Sequence, residues 1–177
     1  MGQVKKRMKK IGRQVEFLGT SEFNQRNGEG AFIKLKNGSI MFGFTEFTAN
    51  DWEDDVEARI SYIISSDNGE TWSNKKVLFE KPQNAKNIMS LSFLRMNNGD
   101  LGAFYIVKNL DSTDKIVFRR STNESESWSE PVNCMECLEN QDYFVLNNDR
   151  VIKLKNGRIL FSVAKHTVLN TTKDFEP

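Results

Sequence analysis

Three stretches of this chain repeat one another. Residues 31–45 read AFIKLKNGSIMFGFT, residues 92–106 read SFLRMNNGDLGAFYI, and residues 150–164 read RVIKLKNGRILFSVA. Each is an apolar run, an Asn-Gly dipeptide and a second apolar run, which spells strand, turn, strand. Both residues of the dipeptide tolerate positive φ, so each pair is expected to close a tight hairpin. The turn glycines Gly38, Gly99 and Gly157 lie 61 and 58 residues apart. Spacing that regular marks a structural repeat.

A second element recurs in phase with the first. The octet SSDNGETW at 65–72 returns in altered form as STNESESW at 121–128, with Trp72 and Trp128 56 residues apart. Each octet follows a run rich in β-formers, RISYIIS before the first and KIVFRR before the second. One repeat therefore predicts strand, turn, strand, loop, strand, hairpin tip, strand. Four antiparallel strands every 55–60 residues or so describe a propeller blade. The fold class expected is all-β, with blades starting near residues 26, 87 and 147. Within the octet Asp67 can accept turn amides, Gly69 supplies a positive-φ position and Trp72 anchors the tip. These are tasks of hairpin construction rather than catalysis.

The first octet matches the Asp-box pattern S-x-D-x-G-x-T-W through Ser65, Asp67, Gly69, Thr71 and Trp72. The second keeps Ser121 and Trp128 but has Asn123 for Asp, Ser125 for Gly and Ser127 for Thr. With the stretches around Arg26, Met89, Lys108 and 147–152, residues 20–167 resemble the sialidase-like Asp-box (BNR repeat) propellers, in one bacterial branch. That resemblance implies a six-bladed β-propeller of which this chain supplies two and a half to three blades. It also implies a glycoside hydrolase acting on terminal sugars, sialic acid among them. Relatives of this kind clamp the substrate carboxylate with three arginines and use a tyrosine nucleophile, a glutamate and an acid/base aspartate. Arginine suits the clamp because its planar fork pairs a carboxylate through two bonds. Asp-box propellers also occur without catalysis, so a carbohydrate-binding or scaffold module is the alternative.

The chain departs from the sialidase pattern in two places. The Arg-Ile-Pro signature would fall at residues 28–30, where no arginine stands, although Arg26 is two residues away. The tyrosine nucleophile belongs to blades beyond the three described by the repeats, so the 177 residues alone are expected not to turn over a sialoside. The partner expected is the remaining propeller half or a second copy of the chain, besides a carbohydrate ligand.

Propeller sites gather where the inner strands begin, which nominates residues 26–29, 87–90 and 147–150. Arg26, Glu29, Asp149 and Arg150 are the substrate-binding candidates there; an ordinary Arg–Glu surface pair is the alternative for Arg26 and Glu29. The acidic loop at 50–55 holds Trp52, suited to stacking on a sugar, and Asp54 and Asp55. The resemblance implies an acid/base role for one of that pair, given burial that raises its pKa. A solvated acidic loop is the other reading. Lys108 and His166 sit on the corresponding edges of the second and third blades. Tyr62, Tyr105 and Tyr143 lie in strand patterns and read as packing.

Charge and composition narrow the partners. A net charge of +1 offers no overall electrostatic case for nucleic acid. Lys5, Lys6, Arg7, Lys9, Lys10 and Arg13 do crowd the start, with Val4, Met8, Ile11 and Val15 at helical spacing. Segment 1–18 therefore reads as a basic terminus, either loosely packed or a surface-docking helix, ahead of propeller residues 19–177. No apolar run has the length of a signal h-region or a membrane span, so a cytoplasmic chain is expected. Cys134 and Cys137 form a lone C-x-x-C without the further ligands zinc needs, and no cofactor is expected.

Overall fold

The computed structural model describes residues 12–16, 18–111, 114–137 and 143–166; of Glu29, Tyr143 and His166 it describes the backbone only. These residues form three antiparallel sheets and no helix. The first sheet runs β1 (Arg26–Lys34), β2 (Ile40–Phe47), β3 (Ala58–Ser65), β4 (Lys76–Phe79). The second repeats it with β5 (Ala85–Arg95), β6 (Leu101–Asn109), β7 (Asp114–Ser121) and β8 (Val132–Asn133). The third holds β9 (Tyr143–Lys153) and β10 (Ile159–His166). In each sheet the spatial order of strands is the order along the chain, as in a propeller blade.

The hairpins between paired strands are alike in all three blades but differ from the two-residue turn expected. Only the glycines take positive φ, at 91°, 87° and 86° for Gly38, Gly99 and Gly157. Gly38 N donates to Leu35 O at 3.0 Å and Leu35 N to Ser39 O at 2.8 Å, enclosing three loop residues. The asparagine acts instead through its side chain: Ser39 N donates to Asn37 Oδ1 at 3.0 Å, and Asn98 and Asn156 accept in the same way. Asparagine stays because its amide oxygen caps the next backbone N–H, while glycine alone bears the left-handed residue of a bulged loop.

Both octets fold as hairpin tips with one bonding plan. Thr71 N and Ser65 Oγ donate to Asp67 Oδ1 at 2.9 and 2.8 Å, Thr71 Oγ1 donates to Oδ2 at 2.6 Å, and Gly69 N donates to Ser65 Oγ at 2.8 Å. The Thr71 bonds hold the Asp67 carboxyl below its ordinary pKa. In the second octet Ser127 N and Ser121 Oγ donate to Asn123 Oδ1 at 2.9 and 3.0 Å. There Asn123 Nδ2 donates to Ser127 Oγ at 2.8 Å, reversing the donor of the Thr71–Asp67 bond. The amide thus preserves the geometry that the carboxylate builds in the first copy.

Blades pack face to face through their alternating apolar residues. Met41, Ile60 and Phe79 of the first blade meet Leu91, Phe93, Ala103 and Tyr105 of the second. A Cβ on Gly43 would lie 2.5 Å from Leu91 Cδ2 and 2.9 Å from the Phe93 ring, so a glycine lets the second blade press in. At the rim Trp128 meets Phe79 edge-on, ring centroids 5.3 Å apart. Phe104, Ile106 and Ile116 on the opposite face of the second blade pack on Leu146 and Val151 of the third.

One buried carboxylate braces the first blade. Glu46 on β2 accepts from Arg59 Nε at 2.9 Å and Ser61 Oγ at 2.5 Å, and pairs with Lys75. Burial pushes its pKa up, but the bonds from Arg59, Lys75 and Ser61 outweigh that and hold it below the ordinary value.

The basic segment is described only from residue 12. Residues 12–16 are not helical, and Arg13 pairs with Glu70 of the first octet; residues 1–11, which carry most of the expected helix, lie outside the described residues. Cys134 and Cys137 are free thiols. Among the described residues no His, Cys, Asp or Glu group has a metal-holding arrangement, and no helix is long and apolar enough to cross a membrane.

Candidate functional site

Each inner strand breaks register at the same level. On β1 residues 28 and 29 bulge between the Asn27–Glu46 and Gly30–Phe44 pairs, and on β5 residues 90 and 91 bulge between Met89–Ile106 and Ser92–Phe104. On β9 residues 147–150 bulge between Leu146–Val163 and Val151–Phe161. Ser90 and Asp149 hold positive φ there, 63° and 52°, which non-glycine residues seldom adopt. A bulge turns side chains out of the pleat, and strained backbone of this kind concentrates at binding sites.

All three bulges open on one cleft of about 690 Å³. Arg26, Asn27 and Gly28 line it from the first blade, Met89 and Ser90 from the second, Asn147, Asn148 and Arg150 from the third. Thr45, Phe47 and Asp54 complete the wall on the first-blade side. The Arg26 guanidinium lies 3.8 Å from the centroid of the Phe47 ring and pairs with Asp54. Arg26 Nε is buried with no hydrogen-bond partner among the described residues. Arg150 N donates to Ser92 Oγ at 3.0 Å, tying the third bulge to the second blade.

The loop that carries Asp54 is held from the neighbouring blade. Asn87 Nδ2 donates to Asp54 O and Val56 O, both at 2.8 Å, and Lys108 Nζ donates to Asp54 O at 3.3 Å. Lys108 Nζ also reaches Asp55 Oδ1 at 3.2 Å, with Lys86 Nζ 3.4 Å from Oδ2. Asn87, Lys108 and Asp114 form one cross-strand row on β5, β6 and β7. Asp114 is buried, its Oδ2 without a partner among the described residues, and burial pushes its pKa up to about 6 despite Lys108.

The sequence candidates therefore divide. Arg26, Arg150 and Asp54 share the cleft. Asp55 does not line it, and its environment runs against the raised pKa expected for a proton donor. Partial burial pushes its pKa up, but Lys108 and Lys86 prevail and hold it below the ordinary value. Lys108 is a buried strut for the loop rather than a cleft residue. Trp52 is exposed outside the cleft lining, and Asp149 shapes the third bulge. Glu29 lies in the first bulge and His166 ends β10, with side chains outside the described residues. Tyr105 is buried and accepts from Arg119 Nε at 2.9 Å, a packing role. Asn147 and Ser90 of the cleft were named in sequence only as members of their segments; the signal for them is their place just before an apolar strand in each repeat.

No protein-family model matches this chain, and no curated protein matches it by sequence. Solved structures do resemble it. A Hadza microbial sialidase superposes over 80% of this chain with a TM-score of 0.66 at 13% identity. The NanB sialidase of Streptococcus pneumoniae covers 86% of the chain at 0.65 and 11%. A leech intramolecular trans-sialidase covers 90% at 0.68 and 9%. The chain spans 32%, 43% and 43% of those three structures. At such identities the likeness establishes architecture: the described residues form two four-stranded blades and the leading hairpin of a third in a sialidase-like β-propeller.

Proposed function

We propose that the cleft binds the anionic end of a terminal sugar, sialic acid or a close relative, as one wall of a sialidase-type glycoside hydrolase site. The observation that carries this reading is the alignment of three strand bulges on one cleft, lined by Arg26 from the first blade and Arg150 from the third. Arginine forks bind a carboxylate through two charge-assisted bonds, and the flanking asparagines and Ser90 supply donors and acceptors for ring hydroxyls. The two octets, read as Asp-boxes, and the likeness to sialidase structures support the same assignment.

Binding and turnover separate in this chain. Among the described side chains no tyrosine lines the cleft, and Lys108 and Lys86 hold Asp55 below its ordinary pKa. The described residues suit recognition, and an Asp55 held below its ordinary pKa is unsuited to donate a proton, which favours the second reading, a non-catalytic carbohydrate-binding propeller. Saturation-transfer NMR with N-acetylneuraminic acid tests recognition, with galactose as neutral control. Binding of the acid alone, weakened tenfold or more by Arg150→Ala, is expected; equal binding of both sugars would overturn the proposal. Turnover of a fluorogenic sialoside by the chain would decide for the enzyme, although none is expected of these residues alone.

A further inference from the structure

The two outward faces of this blade array are the two sides of a contact that the chain already makes internally. The second blade seats on the first through Phe93 and Trp128, with Arg95 Nη2 donating to Lys34 O at 2.8 Å. The third blade repeats the bond, Lys153 Nζ donating to Arg95 O at 2.9 Å. In the repeat register the first blade's counterparts are Phe32, Trp72 and Lys34. There they face outward: Phe32 is 57% exposed, stacks on Phe42 at 4.4 Å between centroids, and lies 6.3 Å from Trp72. The receiving side repeats as well. Ile33 and Met41 of the first blade receive the second, and their counterparts on the third blade, Ile152 and Leu160, are 54% and 41% exposed.

We propose that a second copy of this chain covers these faces head to tail, the Phe32 face of one copy seated on the Ile152–Leu160 face of the other. The choice of occupant follows from the pairing. A partner for the Phe32 face must offer an apolar strand pair and a carbonyl oxygen for Lys34, and the exposed surface of that type among the described residues is the third blade's own. The contact continues an interface already formed between successive blades. A net charge of +1 puts little repulsion between copies. Each contact joins unlike surfaces, so two copies close a ring if the rotation allows, and otherwise extend. The second copy would also wall off the open flank beside Arg150, where Val145, Ser162 and Val163 line a recess of about 380 Å³. The inference is independent of which ligand the cleft takes.

Light scattering on the full chain, coupled to size exclusion across a hundredfold concentration range, tests it. The wild type is expected above monomer mass. Phe32→Asp and Ile152→Asp, both at exposed positions, should each run as monomers with an unchanged circular dichroism spectrum. An equimolar mixture of the two should associate again, because one contact with both faces intact remains available. A wild type that stays monomeric throughout overturns the proposal. So does an Ile152→Asp variant that remains dimeric, which would mean pairing through the Phe32 face alone, and so does a mixture that stays monomeric. If Phe32→Asp does not fold, Phe32→Ser carries the same expectations.

Discussion

Arg95 on β5 holds both carboxylate oxygens of Glu124, at 2.5 and 2.9 Å, from the inner strand to the hairpin tip of the same blade. Glu124 also accepts from Lys36 N of the preceding blade at 2.8 Å, while Arg95 reaches across to Lys34 O. Two side chains thus join inner strand, rim and neighbouring blade.

Replacing Arg95 should loosen that junction. Arg95→Ala is expected to cost about 1–3 kcal/mol, since it removes charge-assisted bonds and leaves the Glu124 carboxylate to Lys36. Arg95→Lys should recover only part, because an ammonium cannot make the forked contact. Urea unfolding at pH 7 measures both. The pH dependence has a definite sign. Arg95 holds Glu124 at a pKa of about 2, below its ordinary 4.5. Its contribution is full above about pH 4.5 and fades as pH falls toward 2, and Glu124→Gln should flatten that part of the acid limb. Glu46, also lowered, keeps the variant acid-sensitive.

Asp114 titrates with the opposite sign. Its folded pKa of about 6 lies above the ordinary 3.8, so stability falls as pH rises from about 4 through 6. Asp114→Asn should stabilise the protein by about 1–3 kcal/mol at pH 7.5, with the gain shrinking toward pH 4. Thermal unfolding of both proteins at pH 4.5 and 7.5 checks this, and an equal difference at the two pH values would contradict it.

Asn87 sets the loop rather than the ligand. Asn87→Ala removes two bonds to the 54–56 backbone and should cost about 1–3 kcal/mol. Hydrogen exchange should rise across 48–57 while the Asn-Gly hairpins keep their protection. Affinity for the acidic sugar should fall severalfold through the displaced Asp54–Arg26 pair.

The repeat was legible because its signals are local. Asn-Gly between apolar runs, and two octets in phase with them, gave blade count and strand order directly. The turn type escaped because Asn98 and its counterparts act through the side chain, which the dipeptide does not reveal. The fate of Asp55 was hidden for another reason: Lys86 and Lys108 are 31 and 53 residues away and meet it only when two blades dock. The shared register of Lys34, Arg95 and Lys153 was visible in sequence, but that they form successive rungs needed the packed blades. Glu124 sat unnoticed in the altered octet, where it replaces Asn68 and faces a neighbour.

The hairpin tips bear on the order of folding. Every side-chain bond within the octets closes across two to four residues, whereas the side-chain bonds that join blades span 31 to 88. Loops that short close in well under a microsecond, and hairpins follow within about 1–10 microseconds. Docking must then meet the entropy of closing much longer segments. Each blade is therefore the early cooperative unit, and its outer corner is set before its neighbour arrives.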